Sequence, residues 1–346
     1  MSDVAAIEVV RAERRVRFRR EWIVGASLAA AAILVAAISL GVGGYTLSVP
    51  DLLATLVGQG STKDEFVVLQ LRLPRVTMAI VVGIAFAVAG ALFQSLFANP
   101  LASPDIIGIT AGASASAVAA LLVFGLSGFA VSAWAFVGAL VVAGSIYLLS
   151  SSAGLHGYRF VLVGIAVAFL VEAVLGYLLT RADVRDAQGA LVWLVGSLSG
   201  VRWVDIAIAA GGVAVLLPVV AVLAPRLRAL QLGEQSAAGL GVVVQPTRLA
   251  LLFAAVGLAA IGTAAVGPVA FVAFVAGPIA RRLVRSGGLA LVHSALVGVL
   301  LVLASDFVAQ HLLGGTQVPV GIVTGAVGAP YLLWILARSN RTRGES

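Results

Sequence analysis

The sequence has no cysteine. Neither a disulfide framework nor a thiolate metal site is open to it, and thiol usage gives no sign of its redox compartment. Charge is also scarce, with Asp, Glu, Lys and Arg at 11% against 61% hydrophobic residues and a mean hydropathy of +1.11. Soluble domains carry about a quarter charged residues, so a soluble fold could not hide this much apolar surface. Lysine is nearly missing: the formal charge of +7 rests on arginines, with Lys63 the single lysine, and the placement of these cations matters more than their sum. Histidine is limited to His156, His293 and His311, far apart and without carboxylates at metal-ligand spacing, which favours loop or packing roles over a metal centre. No GxxxxGK[ST] phosphate loop occurs, so the chain does not itself cradle ATP phosphates.

What is present is a series of long uncharged runs, at 22–50, 76–104, 106–158, 206–225, 249–280, 286–305 and 307–337. A spanning helix needs ~20 apolar residues, which predicts spans over 22–42, 75–97, 106–124, 131–150, 160–180, 203–224, 248–266, 289–313 and 319–337. The first run is too long for a signal-peptide core and follows about twenty polar residues, so it reads as the first span. Arg11, Arg14, Arg15, Arg17, Arg19 and Arg20 at one terminus and Arg338, Arg341 and Arg343 at the other put both ends on the cytoplasmic side, which requires an even number of crossings. The run 249–280 supplies the missing one. Arg226, Arg228 and Arg248 before it and Arg281, Arg282 and Arg285 after it belong on one side. It must therefore turn back at Gly267-Pro268, where proline removes a donor, leaving a half-length tenth helix. The expected fold class is all-α, a polytopic membrane protein forming one domain over 1–346, with cytoplasmic tails at 1–21 and 338–346 and a cytoplasmic loop at 225–247. Lys63, Arg72, Arg75, Arg181, Arg185 and Arg202 fall outside.

Some polar residues stand out against this background. Arg72 and Arg75 sit where the chain re-enters the membrane, either as snorkelling cations or as charges offered to an acidic partner. Glu172 lies within the fifth span, where an ionised carboxylate is costly, and reads equally as pathway lining or as packing. Asp306 and Gln310, one turn apart, suggest a structural polar clamp.

Residues 72–116 read RLPRVTMAIVVGIAFAVAGALFQSLFANPLASPDIIGITAGASAS. With LGEQSAAGLG at 232–241, GPVAFVAFVAGPIARRL at 267–283 and VPVGIVTGAVGAPYLLWIL at 318–336, the chain resembles the FecCD-type permeases of iron-siderophore, haem and cobalamin importers, in the family's order and over most of its length. The resemblance implies a type II ABC importer permease in a bacterial cytoplasmic membrane. Its partners would be a second permease subunit, two cytoplasmic ATPase subunits and an extracytoplasmic substrate-binding protein. The chain itself would hold no cofactor, ATP and Mg being bound by the ATPase. By the same resemblance Arg72 and Arg75 face acidic residues of the binding protein. The loop 225–247, with Leu232, Gly233, Glu234, Gln235, Gly239, Leu240 and Gly241, couples to the ATPase, and Asn99 and Leu101 belong to a cytoplasmic gate. From the residues alone, 225–247 is also an ordinary basic loop, and Pro100 and Pro104 mark a tight turn.

Two stretches depart from common family patterns: Gly277-Pro278 stands where many members have Pro-His, and Gln317-Val318-Pro319 where many have Glu-Leu-Pro. Gln310 also stands where cobalamin permeases carry a third outward arginine, so that docking contact is not carried over. With Ser103-Pro104-Asp105 and Gln317-Val318-Pro319-Val320-Gly321, these features are most similar to the second permease subunit of ferric-enterobactin-type systems. That resemblance implies a heterodimer and a catecholate-like ferric cargo, with haem or cobalamin as the alternative. From other classes, an ion-gradient-driven secondary transporter would need coupling-ion sites at mid-membrane. An intramembrane serine protease would need a dyad such as Ser114 with His293.

Overall fold

Apolar runs in a bilayer become helices because no other open chain conformation satisfies its own amides there. The computed structural model describes residues 3–150, 157–285, 288–311 and 318–343. His156 and Gln317 lie outside the described residues. In chain order the helices are α1 (Asp3–Gly41), α2 (Val49–Leu56), α3 (Thr62–Glu65), α4 (Leu73–Leu96), α5 (Ile109–Leu122), α6 (Phe129–Ser150), α7 (Gly157–Arg181), α8 (Val184–Leu194), α9 (Trp203–Leu230), α10 (Glu234–Gly239), α11 (Val244–Val266), α12 (Val272–Val284), α13 (Leu291–His311) and α14 (Val320–Arg343). Among the described residues, seven helices are long and apolar enough to cross a membrane. With the shorter α5 and α12 and the apolar part of α14, Val320–Trp334, they make up the ten expected.

Several boundaries move. Helix α1 already runs from Asp3, through the basic stretch ahead of the expected first span, and α14 likewise continues past the expected last span to Arg343. The loop 225–247 shrinks to 231–243, since α9 and α11 extend into it from both sides. The third span contracts to α5, as turns occupy 104–108 and Gly108 adopts a left-handed φ of 88° at the helix N-cap. The helix α8 was not expected. It lies in the segment 181–202, where its packing on α5 and α7, rather than hydropathy, makes it a helix.

The chain enters α4 through a π-helical turn, Phe66–Arg72, in which the Leu73 amide donates to the Val68 carbonyl. Widening the turn there accommodates Pro74, which has no amide to donate. The α4 helix is the hub of the bundle, contacting α9, α11, α12 and α13. In the Thr62–Leu96 run 78% of the apolar window is buried, against 6% in α7.

Close approach to the hub depends on small residues. On α4, Gly83 faces the backbone of Gly298 and Val299 on α13, and Gly90 lies against the Ala273 carbonyl of α12. The turn between α11 and α12 falls at Gly267-Pro268, as expected. Gly267 has φ 78° and ψ −179°, a region that only glycine adopts without strain. Its backbone neighbour across the bundle is Trp193.

A methyl at Gly90 would overlap the Ala273 backbone, whereas one at Gly211 on α9 meets nothing within 4 Å. Gly90→Ala is expected to destabilise the protein by about 1–3 kcal/mol or more, as overpacking does. Gly211→Ala should be neutral or slightly stabilising, by up to about 1 kcal/mol. Thermal unfolding of the two variants in detergent checks this; equal stability would remove the close-packed hub.

Candidate functional site

Polar groups gather at the two ends of the bundle. At one end, Arg75 on the first turn of α4 reaches Asp306 near the end of α13, with its Nε 3.1 and 3.0 Å from the two carboxylate oxygens and its Nη2 2.8 Å from Oδ1. The side chains are 12% and 4% exposed. Gln310, one turn on, donates to Asp306 Oδ2 at 2.6 Å, and Arg75 also donates to the Ser199 hydroxyl at 3.3 Å. This gives physical form to the expected clamp of Asp306 and Gln310, and Arg75 is its third member. A cation this enclosed needs a carboxylate beside it.

Arg72 is placed differently. Its guanidinium donates to the Leu40 carbonyl at 2.7 Å and to the Tyr45 carbonyl, in space left open by Gly43. Among the described residues no carboxylate pairs with it. The two arginines expected to face the binding protein thus differ in surroundings: the charge of Arg75 is balanced inside the chain, and among the described residues that of Arg72 is not. Close by, the segment 42–72 is held by Ser48 and Ser61 capping α2 and α3 and by Tyr45 donating to Asp64 at 2.9 Å. The hydrogen bonds from Ser61 and then Tyr45 hold the Asp64 carboxyl below its ordinary range. The stabilisation these bonds give is thus present above the ordinary carboxylate pKa and lost as pH falls through the lowered one.

Three backbone segments meet at this same end. The Ser197 amide donates to the Val266 carbonyl at 2.7 Å and the Gly321 amide to the Gly196 carbonyl at 3.4 Å. The loop before α9, the α11–α12 break and the start of α14 are thereby joined.

The other end carries most of the arginines. Gln94, buried in the last turns of α4, donates to the Phe274 carbonyl at 2.8 Å and accepts from Arg281 at 2.7 Å. This cross-link from α4 to α12 was not foreseen; its one sequence signal is an amide inside an otherwise apolar run. Beyond it the chain turns at Ala98, with φ 46°. Asn99 Oδ1 accepts from the Leu101 amide at 2.9 Å. Asn99 is exposed and Leu101 half-buried, so these two residues share one turn.

In the segment 231–243, Leu232, Gly233, Glu234, Gln235, Gly239, Leu240 and Gly241 are all exposed, and Ala237 alone is fully buried. Gly233 and Gly241, at φ 100° and 81°, form the two bends around α10. Three apolar side chains point outward, Leu232 at 67%, Leu240 at 66% and Val243 at 67% exposure. Glu234 of α10 forms an ion pair with Arg248 of α11.

Glu172 is exposed on α7, and no side-chain partner is recorded for it among the described residues. Ser114 and His293 are not brought together: Ser114 is buried on α5, while His293 Nε2 lies 2.9 Å from the Glu21 carbonyl of α1. His311 is likewise engaged by its own helix, through the Phe307 carbonyl and ring.

Residues 30–338 match the model of the FecCD transport family. The ferric enterobactin transport system permease protein FepG of Escherichia coli (strain K12) is 37% identical over 325 residues, covering 94% of this chain and 98% of that protein. The achromobactin transport system permease protein CbrC of Dickeya dadantii (strain 3937) is 39% identical over 310 residues, covering 89% of this chain and 88% of its own. Among solved structures, an ABC transporter assigned to the metal-chelate type, in an inward-facing conformation, superposes with a TM-score of 0.82 at 28% identity. That match covers 91% of this chain and 98% of the other.

Asp306→Ala leaves Arg75 enclosed without its counter-charge and is expected to cost about 3–5 kcal/mol of stability. Replacing both residues with leucine should recover most of that loss, since no charge then remains buried. Unfolding of the single and double variants in denaturant provides the comparison, and a double variant no better than the single would contradict the pairing argument.

Proposed function

The chain belongs to the FecCD transport family and is the membrane-spanning permease subunit of an ABC transporter, and we propose that it imports a ferric siderophore, a catecholate-like chelate being favoured. The near full-length similarity to FepG and CbrC, whose names specify enterobactin and achromobactin transport, supports the cargo class. We infer further that the arginine-rich end faces the cytoplasm, that a separate ATPase subunit hydrolyses ATP there with Mg, and that a non-identical sister permease completes the pathway.

The observation that carries the coupling role is the segment 231–243. It leaves Leu232, Leu240 and Val243 uncovered, and on the aqueous side inferred for this end apolar side chains gain nothing unless a partner covers them. A chain with no phosphate loop must receive its energy through such a contact. Glu234 ties α10 to Arg248 at the start of α11, so a push on α10 reaches α11. From there it passes to α4 and α9, which α11 contacts, as a rigid-body movement. Asn99 and Leu101, on the turn at this end of the hub helix, then serve as a gate that the movement opens.

Glu172 fits the second permease subunit. A carboxylate on the exposed side of a spanning helix is expensive against hydrocarbon, and α7 is the least covered of the long spans. A sister subunit or a water-filled pathway on that face removes the penalty. At the opposite end, docking of the binding protein rests on Arg72, because Arg75 is already neutralised.

The test is reconstitution with the sister permease, ATPase and binding protein in vesicles, following uptake of ferric enterobactin as a representative catecholate. Leu232→Asp combined with Leu240→Asp should weaken ATPase association by roughly thirtyfold, as loss of an interface anchor does, and abolish ATP-driven uptake without lowering the melting temperature. Unchanged uptake would exclude the coupling role. Arg72→Glu should raise the Kd for the binding protein and flatten its dependence on salt, since exposed charge pairs are screened by ions; an unaltered salt profile would exclude docking at that residue.

A further inference from the structure

A cleft of about 830 Å³ opens between α1, α9 and α13 at the arginine-rich end, floored by Ile84 and Val88 of the hub helix α4. Its two regions differ in chemistry. The lining at the arginine-rich end, its mouth, comprises Arg17, from the basic N-terminal half of α1, and Arg228, from the last turn of α9, with Glu21 and His293, whereas Leu217, Val220 and Ala221 lie about two to three turns farther along α9. Among the described residues neither arginine is paired with a carboxylate. Glu21 contributes one negative charge to the rim, and the His293 ring is held against the Glu21 backbone, so two arginines face one carboxylate.

The depth of the cleft matches one leaflet. Arg228 and Leu217 are separated by roughly 16 Å of α9 at 1.5 Å per residue, which is about half of a ~30 Å hydrocarbon core. The mouth lies where three apolar runs begin or end: after the basic stretch of α1, before Pro225-Arg226 in the last turns of α9, and at Leu291 on α13. It therefore sits at headgroup level, with the apolar floor beneath it at the level of acyl chains.

We propose that this cleft is a binding site for an anionic phospholipid, with the phosphate between Arg17 and Arg228 and one acyl chain along α4 and α9. Basic pockets between spanning helices suit acidic headgroups. The apolar floor is satisfied by hydrocarbon and would be poorly served by water. The bound lipid fills the gap between α1 and the helix that leads into the 231–243 segment.

The test uses the purified full-length chain in mild detergent and native mass spectrometry with phosphatidylglycerol or phosphatidylcholine. Phosphatidylglycerol should be retained in preference to phosphatidylcholine. The combination Arg17→Gln and Arg228→Gln should weaken its affinity about thirtyfold, each cation near the membrane surface counting for about a fivefold effect. Ala221→Phe, which fills the apolar part and leaves both arginines in place, should weaken it as well. Arg14→Gln, on the same basic helix but away from the cleft, should have little effect. Thermal unfolding of each variant shows that the fold is kept. Equal retention of the two lipids, or an equal loss with Arg14→Gln, would mean diffuse surface attraction and overturn the site. Indifference to Ala221→Phe together with displacement by inorganic phosphate would mean an aqueous anion site and overturn the lipid assignment.

Discussion

Within a bilayer an amide or a charge has no water to turn to, and each must find its partner inside the protein. That constraint accounts for most of the departures from regular helix in this structure. Where α4 begins, a π-turn absorbs Pro74. Where α11 breaks at Gly267-Pro268, the freed Val266 carbonyl accepts from Ser197, and the neighbouring glycines let three backbones meet. Arg75 is tolerated because Asp306, itself held by Gln310, lies against it. Each irregular element is admitted only with its compensation beside it.

The two ends of the bundle use polar residues in different ways. One end is closed by side-chain and backbone bonds that join α4, the loop before α9, α11, α13 and α14 into a single knot around Arg75. The other exposes its polar and apolar groups, with the outward leucines of the 231–243 segment and the turn at Asn99 and Leu101 both open to solvent. Such an arrangement suits a body pushed from one end and held together at the other. The helix α4 connects them, since Arg75 and Gln94 stand about 28 Å apart along it, close to the thickness of the hydrocarbon core. Gly83 and Gly90 keep its neighbours at backbone distance, so a displacement of α12 or α13 is felt by α4 directly.

The helix count, the break in the run 249–280 and the family resemblance could all be read from the residues. The spacing of charges reports membrane thickness, and Gly-Pro in a run too long for one span and too short for two reports a turn. The site was legible to a lesser degree. The connection around Gly233 and Glu234 is narrower than the residues suggest, because Pro225 and Arg226–Arg228 look like loop residues and yet continue α9. Arg72 and Arg75 look alike in sequence and differ completely in surroundings. Gln94 passed unnoticed, and α8 was hidden in a stretch where charge and apolar residues alternate without a span-length pattern.

The sequence by itself determined that this is a polytopic helical membrane protein of about ten crossings, because apolar length and arginine placement respond to the bilayer alone. Only the tertiary structure decided which helix is central, that Arg75 pairs with a carboxylate 231 residues away, that Gln94 binds Arg281, and that Glu172 faces outward. The reason is physical: in a membrane the lipid-facing and protein-facing sides of a helix are both apolar, so composition carries no mark of which face meets a neighbour until the helices are packed.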